Sequence, residues 1–319
     1  MDGAAIAKGG KTMALFEKKK KKGRVSNAVV FLLAFILFLL VFGGLCLWAV
    51  VKINEERRAN DSSVVSLIDS SGRGTDFDES DVRRLLIITV DDGEAQGFVA
   101  VRADPARARM GAAAFSRDMV VDYEVNEVRL FELYASKGAV VTKTALEKAS
   151  GISFDNYAVI RYDNIAKAVD YFEQGLIFKL TENLNYQGDG LSIRLDGGMK
   201  TLSASQTLDI LRYPSWHGGR KQRADVQAQV TAALINQYMR ASRADKADAD
   251  FSALVNLVKS DILVSHYNAA KPGLTYLASR NNGDLCQVLS VEGEYQGSGD
   301  ALRFYAADKT SDKLKAALE

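Results

Sequence analysis

Ala28 to Val51 reads AVVFLLAFILFLLVFGGLCLWAVV, 24 residues without a charge. At ~1.5 Å rise per residue, a helix of that length reaches roughly 36 Å and crosses a hydrocarbon core of about 30 Å with some tilt. A cleaved signal peptide shares the order of basic and then apolar residues. Its apolar region, however, runs only roughly 7–15 residues and ends at a small-residue cleavage site, which does not follow cleanly here. The stretch is therefore read as one uncleaved transmembrane helix. Five consecutive lysines, Lys18 to Lys22, precede it, and the positive-inside rule assigns that side to the cytoplasm. The expected organisation is a basic cytoplasmic leader (1–27), a single span (28–51), a polar juxtamembrane stalk (52–81) and an extracellular domain (82–319).

Charge follows the same division. Residues 1–24 hold eight Lys or Arg against Asp2 and Glu17, a net +6, while the whole chain is +1, so the remainder is about −5. A net-acidic domain outside the membrane is unlike a nucleic-acid binder, and no nucleic-acid partner is expected. Of the two cysteines, Cys46 lies within the apolar stretch. Cys286 therefore has no disulfide partner in the outer domain, and it reads as a small buried hydrophobe. The two histidines, His217 and His266, are far apart in sequence with no metal-spaced neighbours, which argues against zinc.

From residue 82 onward strand and helix signals alternate. RRLLIITV and GFVAVRAD read as buried strands, with RMGAAAFS as a third after an ADPAR turn. AVVTKTALEKASG is an amphipathic helix stopped by Gly151. NYAVIRY returns as a strand. DNIAKAVDYFEQG follows as a helix capped by Asp163 or Asn164 and stopped by Gly175. LIFKL is again a strand, and SASQTLDILR and KQRADVQAQVTAALINQYMRAS are helices. A further helix is expected over about Ala253 to Lys259, then strands around Leu285 and Phe304. Such alternation predicts a layered α-β-α domain with a central mixed sheet.

Several standard sites are missing from the sequence: no G-x-x-x-x-G-K-[ST] phosphate loop, no G-x-G-x-x-G and no G-x-S-x-G elbow. What remains is rich in arginine. Arg117 follows a strand end, where ligand sites of open α/β sheets collect. Arg212 ends one helix, and Arg220 and Arg223 begin the next, after Gly218-Gly219. Amides at a helix N-terminus favour anions, and the guanidinium fork matches phosphate oxygens while keeping its charge. Asp91-Asp92, at the end of the first strand, could supply a carboxylate for Mg²⁺ beside such phosphates. The competing reading is that Arg220, Lys221 and Arg223 simply face water at a helix start.

With these motifs in order, the chain resembles the LytR-CpsA-Psr family of membrane-anchored cell-wall glycopolymer transferases. Leu85-Leu86-Ile87 ending in Asp91, the Ser116-Arg117-Asp118 triplet, SGISFDNYAVIRYDNIAKAVDYFEQG, the spacing from Gly198 to Arg212 and the GRKQR of Gly219 to Arg223 carry the resemblance. It implies a sheet flanked by helices around a deep apolar groove for a polyprenyl chain. The family reaction moves a glycopolymer phosphate from the lipid carrier to a peptidoglycan hydroxyl with Mg²⁺ assisting. Spread phosphoryl charge of this kind calls for arginine and metal more than for a covalent nucleophile. Carried over, Arg117, Arg212, Arg220 and Arg223 are pyrophosphate ligands, Asp91 and Arg117 the catalytic pair and Asp91 a magnesium ligand; Asp92 and Glu94, outside the family pattern, are further candidates to join Asp91 on the metal.

The chain also departs from the family pattern. Where the family usually shows R-S-D-T, this sequence has Glu94-Ala95-Gln96-Gly97, so an arginine becomes a glutamate and a metal-binding aspartate a glutamine. Gly93 and Pro214 stand where two further arginines are expected. Two functions therefore remain open: a working phosphotransferase with a partly degraded site, or a non-catalytic scaffold or regulator that binds the lipid-linked polymer.

Overall fold

The computed structural model of the protein describes residues 77–307 together with Leu314 and Leu318. The leader, the span and the stalk up to residue 76 lie outside the described residues. No helix among those described is long and apolar enough to cross a membrane.

The chain opens with β1 (Arg83–Asp91), which turns into β2 (Glu94–Asp104) and then β3 (Arg109–Phe115). Asp92 and Gly93 make the first turn, with φ of 47° and 85°. Two successive left-handed residues are what a two-residue hairpin needs to match the twist of its strands, and Asp-Gly supplies them at low cost. A short hairpin, β4 (Val120–Tyr123) and β5 (Asn126–Arg129), leads into α1 (Leu130–Ser150). That helix is broken at Gly138 (φ 77°, ψ −175°) and stopped by Gly151 in the left-handed region. β6 (Asn156–Arg161) and α2 (Tyr162–Tyr171) follow. Next come β7 (Leu176–Leu180), β8 (Leu184–Gly188), β9 (Leu191–Leu195) and β10 (Gly198–Leu202). Helices α3 (Ala204–Arg212), α4 (Gly219–Tyr238) and α5 (Ala247–Val255) then precede β11 (Val258–Ser260) and α6 (Val264–Arg280). β12 (Cys286–Leu289), β13 (Gly293–Gln296) and β14 (Arg303–Ala306) complete the described strands.

Six strands form the central sheet in the order β11-β6-β1-β2-β3-β12. It is mixed as expected: β1 runs parallel to β6 and antiparallel to β2, and β3 runs parallel to β12. β2 is buried continuously from Gly97 to Asp104, because helices cover both faces. On one face Leu86, Ile88, Phe98, Ala100 and Phe115 pack under Leu130, Leu133 and Leu146 of α1. On the other, Val99, Val101, Ala112 and Ala114 pack under Ala228 and Ala232 of α4 and Leu277 of α6. Alanines on both sides of this second contact bring α4 close to the sheet, which sets where its first turn sits over the strand ends. A third cluster joins α2, α3, the β7–β10 strands and the start of α4.

Three expectations change. The helix proposed for Ala253 to Lys259 ends at Val255, and Val258–Ser260 instead pairs antiparallel with Ile160 to Ala158. An open sheet edge with unpaired amides outweighs local helical propensity there. α2 begins at Tyr162 with Arg161 in the cap position and no side-chain cap bond. Asp163 and Asn164 do not cap it: Asp163 lies near Arg161 and Arg212, while Asn164 donates to the Leu257 carbonyl. Gly175 lies beyond the last helical turn, at φ 65°, where a Cβ would sit 2.6 Å from the Leu202 carbonyl oxygen.

Candidate functional site

β3 ends at Phe115, and Ser116-Arg117-Asp118 turns the chain just beyond that strand end. The turn is tied down on all sides. The Asp118 amide donates to Ser116 Oγ (3.1 Å), which also accepts from the Tyr295 hydroxyl (2.9 Å). The Phe131 amide donates to the Arg117 carbonyl, and the Phe304 amide to the Asp118 carbonyl. Burial pushes the Tyr295 phenol up to about 12, so it stays a proton donor to Ser116 at neutral pH.

Arg117 leaves this turn with its guanidinium 4.3 Å from the Phe131 ring centroid. Its Nη1 donates to Gln96 Oε1 (2.8 Å) and its Nη2 to Glu94 Oε2 (3.1 Å). Glu94 and Gln96 flank Ala95 on β2, where the strand bulges and leaves Gln96 out of the ladder, and both side chains meet Arg117. Arg223, one turn into α4, donates Nη2 to the same Gln96 oxygen at 3.2 Å. One neutral amide thus holds two guanidiniums together. Burial, the largest cause, and the positive charges of Arg220 and Arg117 push the Arg223 pKa below its usual value, against the opposing pull of Tyr162 and Asp118. Arginine remains charged under any such shift. Arg220 comes within 3.5 Å of Asp118 Oδ2.

These groups surround an open cleft of about 570 Å³, lined also by Arg129, Phe131, Glu132, Gly299 and Asp300. Arg129 and Glu132 pair with each other, and that hydrogen bond, the leading cause, holds the Glu132 carboxyl below its usual range. Four polar atoms of the residues lining the cleft are buried with no hydrogen-bond partner among the described residues: Arg117 Nε, Asp118 Oδ2, Arg129 Nε and Arg223 Nε. Buried donors and acceptors left unpaired are costly in a folded protein, and a ligand that satisfies them recovers that cost. The cleft is polar, with Phe131 the one large apolar residue of its lining. It is not the apolar groove that the family resemblance implies.

The other expected residues are placed differently. Asp91 and Arg212 form a two-point ion pair with each other, Nε to Oδ2 at 2.9 Å and Nη2 to Oδ1 at 2.8 Å. Neither lines the cleft. Behind them runs a buried chain in which Thr89 Oγ1 donates to Gln227, Gln227 to the Tyr162 hydroxyl (2.7 Å), and that hydroxyl to the Leu211 carbonyl. Asp92 is exposed on the β1–β2 turn. Asp91, Asp92 and Glu94 therefore do not converge. Both oxygens of Asp91 are held by Arg212, and Glu94 is held by Arg117. No group of three or more His, Cys, Asp or Glu among the described residues could hold a metal ion. This donor set does not fit Mg²⁺, which takes near-octahedral oxygen ligands free to face it.

The two glycine amides at the helix start are also engaged. The Gly218 amide donates to Gln222 Oε1 (2.7 Å) and the Gly219 amide to the Trp216 carbonyl (2.9 Å). Buried Glu182 fixes the same stretch by accepting from the His217 amide and from Gln222 Nε2. Sequence reading missed Asp118, Arg129, Phe131 and Glu132 as cleft residues. Asp118 could have been suspected from its place beside Arg117. The other three reach the cleft only through the β4–β5 hairpin, which left no signal that was read.

A layered α/β domain in which guanidiniums from separate elements converge on one cleft is the class of protein that the fold and site define. Within that class, the LytR_cpsA_psr family matches residues 73–318, and the chain belongs to that family. No curated protein matches the sequence. Solved structures do. B. subtilis TagV is 19% identical, with 74% of this chain and 95% of that one covered and a TM-score of 0.62. A putative transcription regulator from Eubacterium siraeum is 15% identical, with 78% and 96% covered and a TM-score of 0.69. A structure described as TagT bound to LI-WTA is 15% identical, with 77% and 93% covered and a TM-score of 0.57. At these identities the likeness is one of fold.

Proposed function

We propose that this protein holds the phosphate of a polyprenyl-linked glycopolymer in the cleft of Arg117, Arg220 and Arg223 and passes the polymer to a peptidoglycan hydroxyl. The observation that carries the reading is the convergence of three guanidiniums, from the β3 end and the first turns of α4, on one open cleft with buried donors left unpaired. Family membership supplies the reaction class, cell-wall glycopolymer attachment. A relative of the same fold is described as bound to LI-WTA. In this reading the guanidiniums stabilise charge on the phosphoryl oxygens as the acceptor oxygen bonds to the phosphorus next to the glycopolymer and the phosphorus–oxygen bond to the carrier breaks, the carrier leaving as its lipid phosphate. Asp118 Oδ2, buried and without a hydrogen-bond partner, accepts the proton of the acceptor hydroxyl. The apolar stretch Ala28–Val51 anchors the chain in the cell membrane, with the leader cytoplasmic and the domain outside.

A second reading, a non-catalytic scaffold that binds the lipid-linked polymer, is favoured by the way Asp91 and Glu94 are spent on Arg212 and Arg117. Incubating the full-length protein in detergent with a lipid-linked saccharide and acceptor glycan, with and without Mg²⁺, separates the two. Polymer transferred to the glycan, and lost in Asp118→Asn, is the result expected. Lipid binding without product would establish the scaffold, and neither binding nor product would sink both.

A further inference from the structure

Phe131 is a large apolar side chain in an otherwise polar cleft. Two guanidiniums lie over its ring, Arg117 at 4.3 Å and Arg129 at 4.6 Å from the centroid. An aromatic face carries negative potential, so it attracts each of two cations that repel one another. The two come from separate elements. Arg117 leaves the end of β3, and Arg129 is the last residue of β5. Arg129 is itself anchored, because it pairs with Glu132 and donates to the Asp300 carbonyl. Phe131 is the second residue of α1, and its amide donates to the Arg117 carbonyl at 3.1 Å. The ring therefore meets a fixed cation from β5 and reaches Arg117 through both backbone and face.

Arg117 depends on that face for its orientation. A guanidinium has five N–H donors in one plane. Arg117 engages one on each arm, with Gln96 Oε1 and Glu94 Oε2. Those two bonds fix the direction of the arms, and the tilt of the plane about them is set by what lies against its face. Tilt decides whether the remaining donors or the flat face meet a phosphoryl oxygen. We infer that Phe131 is a positioning residue of the phosphate grip, whose aromatic face holds the Arg117 guanidinium at the tilt in which it binds. The inference rests on the cleft being the phosphate site proposed above, and it names a residue that sets the affinity of that site without touching the ligand's charge. Phe131 also packs against the core on the α1 side of the sheet, so a test must separate its face from its bulk.

The experiment titrates farnesyl pyrophosphate into full-length protein in detergent. It compares the wild type, Phe131→Leu, Phe131→Tyr and a protein carrying pentafluorophenylalanine in place of Phe131. Fluorination keeps the shape of the ring and removes its negative face. Phe131→Leu and the fluorinated protein should each bind about tenfold more weakly than the wild type, while Phe131→Tyr stays near it. In an Arg117→Ala background, Phe131→Leu should add little, because the ring acts through that guanidinium. Wild-type affinity in the fluorinated protein would reduce Phe131 to packing and overturn the inference while leaving the site intact. A Phe131→Leu loss undiminished by Arg117→Ala would do the same, and the fluorinated protein decides the question if Phe131→Leu does not fold. No binding by the wild type, or binding indifferent to Arg220→Ala with Arg223→Ala, overturns the site itself and the inference with it.

Discussion

Gln96 and Glu132 show how the cleft keeps its arginines in place at two different prices of charge. Gln96 holds Arg117 and Arg223 through one neutral oxygen, which adds no negative charge of its own; Arg223 keeps its charge free, while Arg117 shares its other arm with Glu94. Glu132 instead neutralises Arg129 in a close ion pair. The Arg129 hydrogen bond is the main reason the Glu132 carboxyl lies below its ordinary range. A carboxylate with a lowered folded pKa adds stability that is complete above its unfolded value, about 4.3, and fades as pH falls through the folded value. Glu132→Gln should therefore lower the melting temperature near neutral pH and show a shallower loss below about pH 4.3. Thermal unfolding followed from pH 3 to 7 reads this directly. Parallel acid limbs in the two proteins would mean that the pair contributes nothing. Since Glu132 is 42% exposed, solvent screens the pair and the effect is small.

At the scale of elements, glycines decide where strands and helices give way. Gly175 and Gly190 both have positive φ, 65° and 76°, but only Gly175 faces backbone, with a Cβ position 2.6 Å from the Leu202 oxygen. Gly190→Ala should cost only the left-handed backbone penalty of about 1–2 kcal/mol. Gly175→Ala adds the collision and should cost about 2–4 kcal/mol. Denaturant unfolding of the two variants compares them, and equal costs would show that the Leu202 contact relaxes freely. The same elements show what a sequence can and cannot convey. β1, β2 and β3 were legible because their apolar runs are long and bounded by turn residues. α6 was not, because Pro272 interrupts its pattern and its start at Leu263 and Val264 is exposed and apolar. β11 was read as helix because its three residues become a strand only by pairing with β6. In the site, Arg220 and Arg223 were legible from their spacing at a helix start. The partners of Arg212 and Glu94 were not, because which carboxylate meets which guanidinium depends on elements more than 20 residues apart.

For the whole molecule, the sheet faces and the cleft belong to one design. Small residues on β3 and α4 let the helix lie close against the sheet. That approach brings the first turns of α4 to the end of β3, where Arg117 leaves the sheet. The arginines meet because the layers pack. The most direct measurement is a titration of farnesyl phosphate into the full-length protein in detergent, comparing the wild type with Arg220→Ala combined with Arg223→Ala. Losing two charge-assisted contacts should weaken binding by at least about a hundredfold, with the melting temperature of the unliganded protein little changed. Unaltered affinity in the double variant would contradict the assignment of this cleft as the phosphate site.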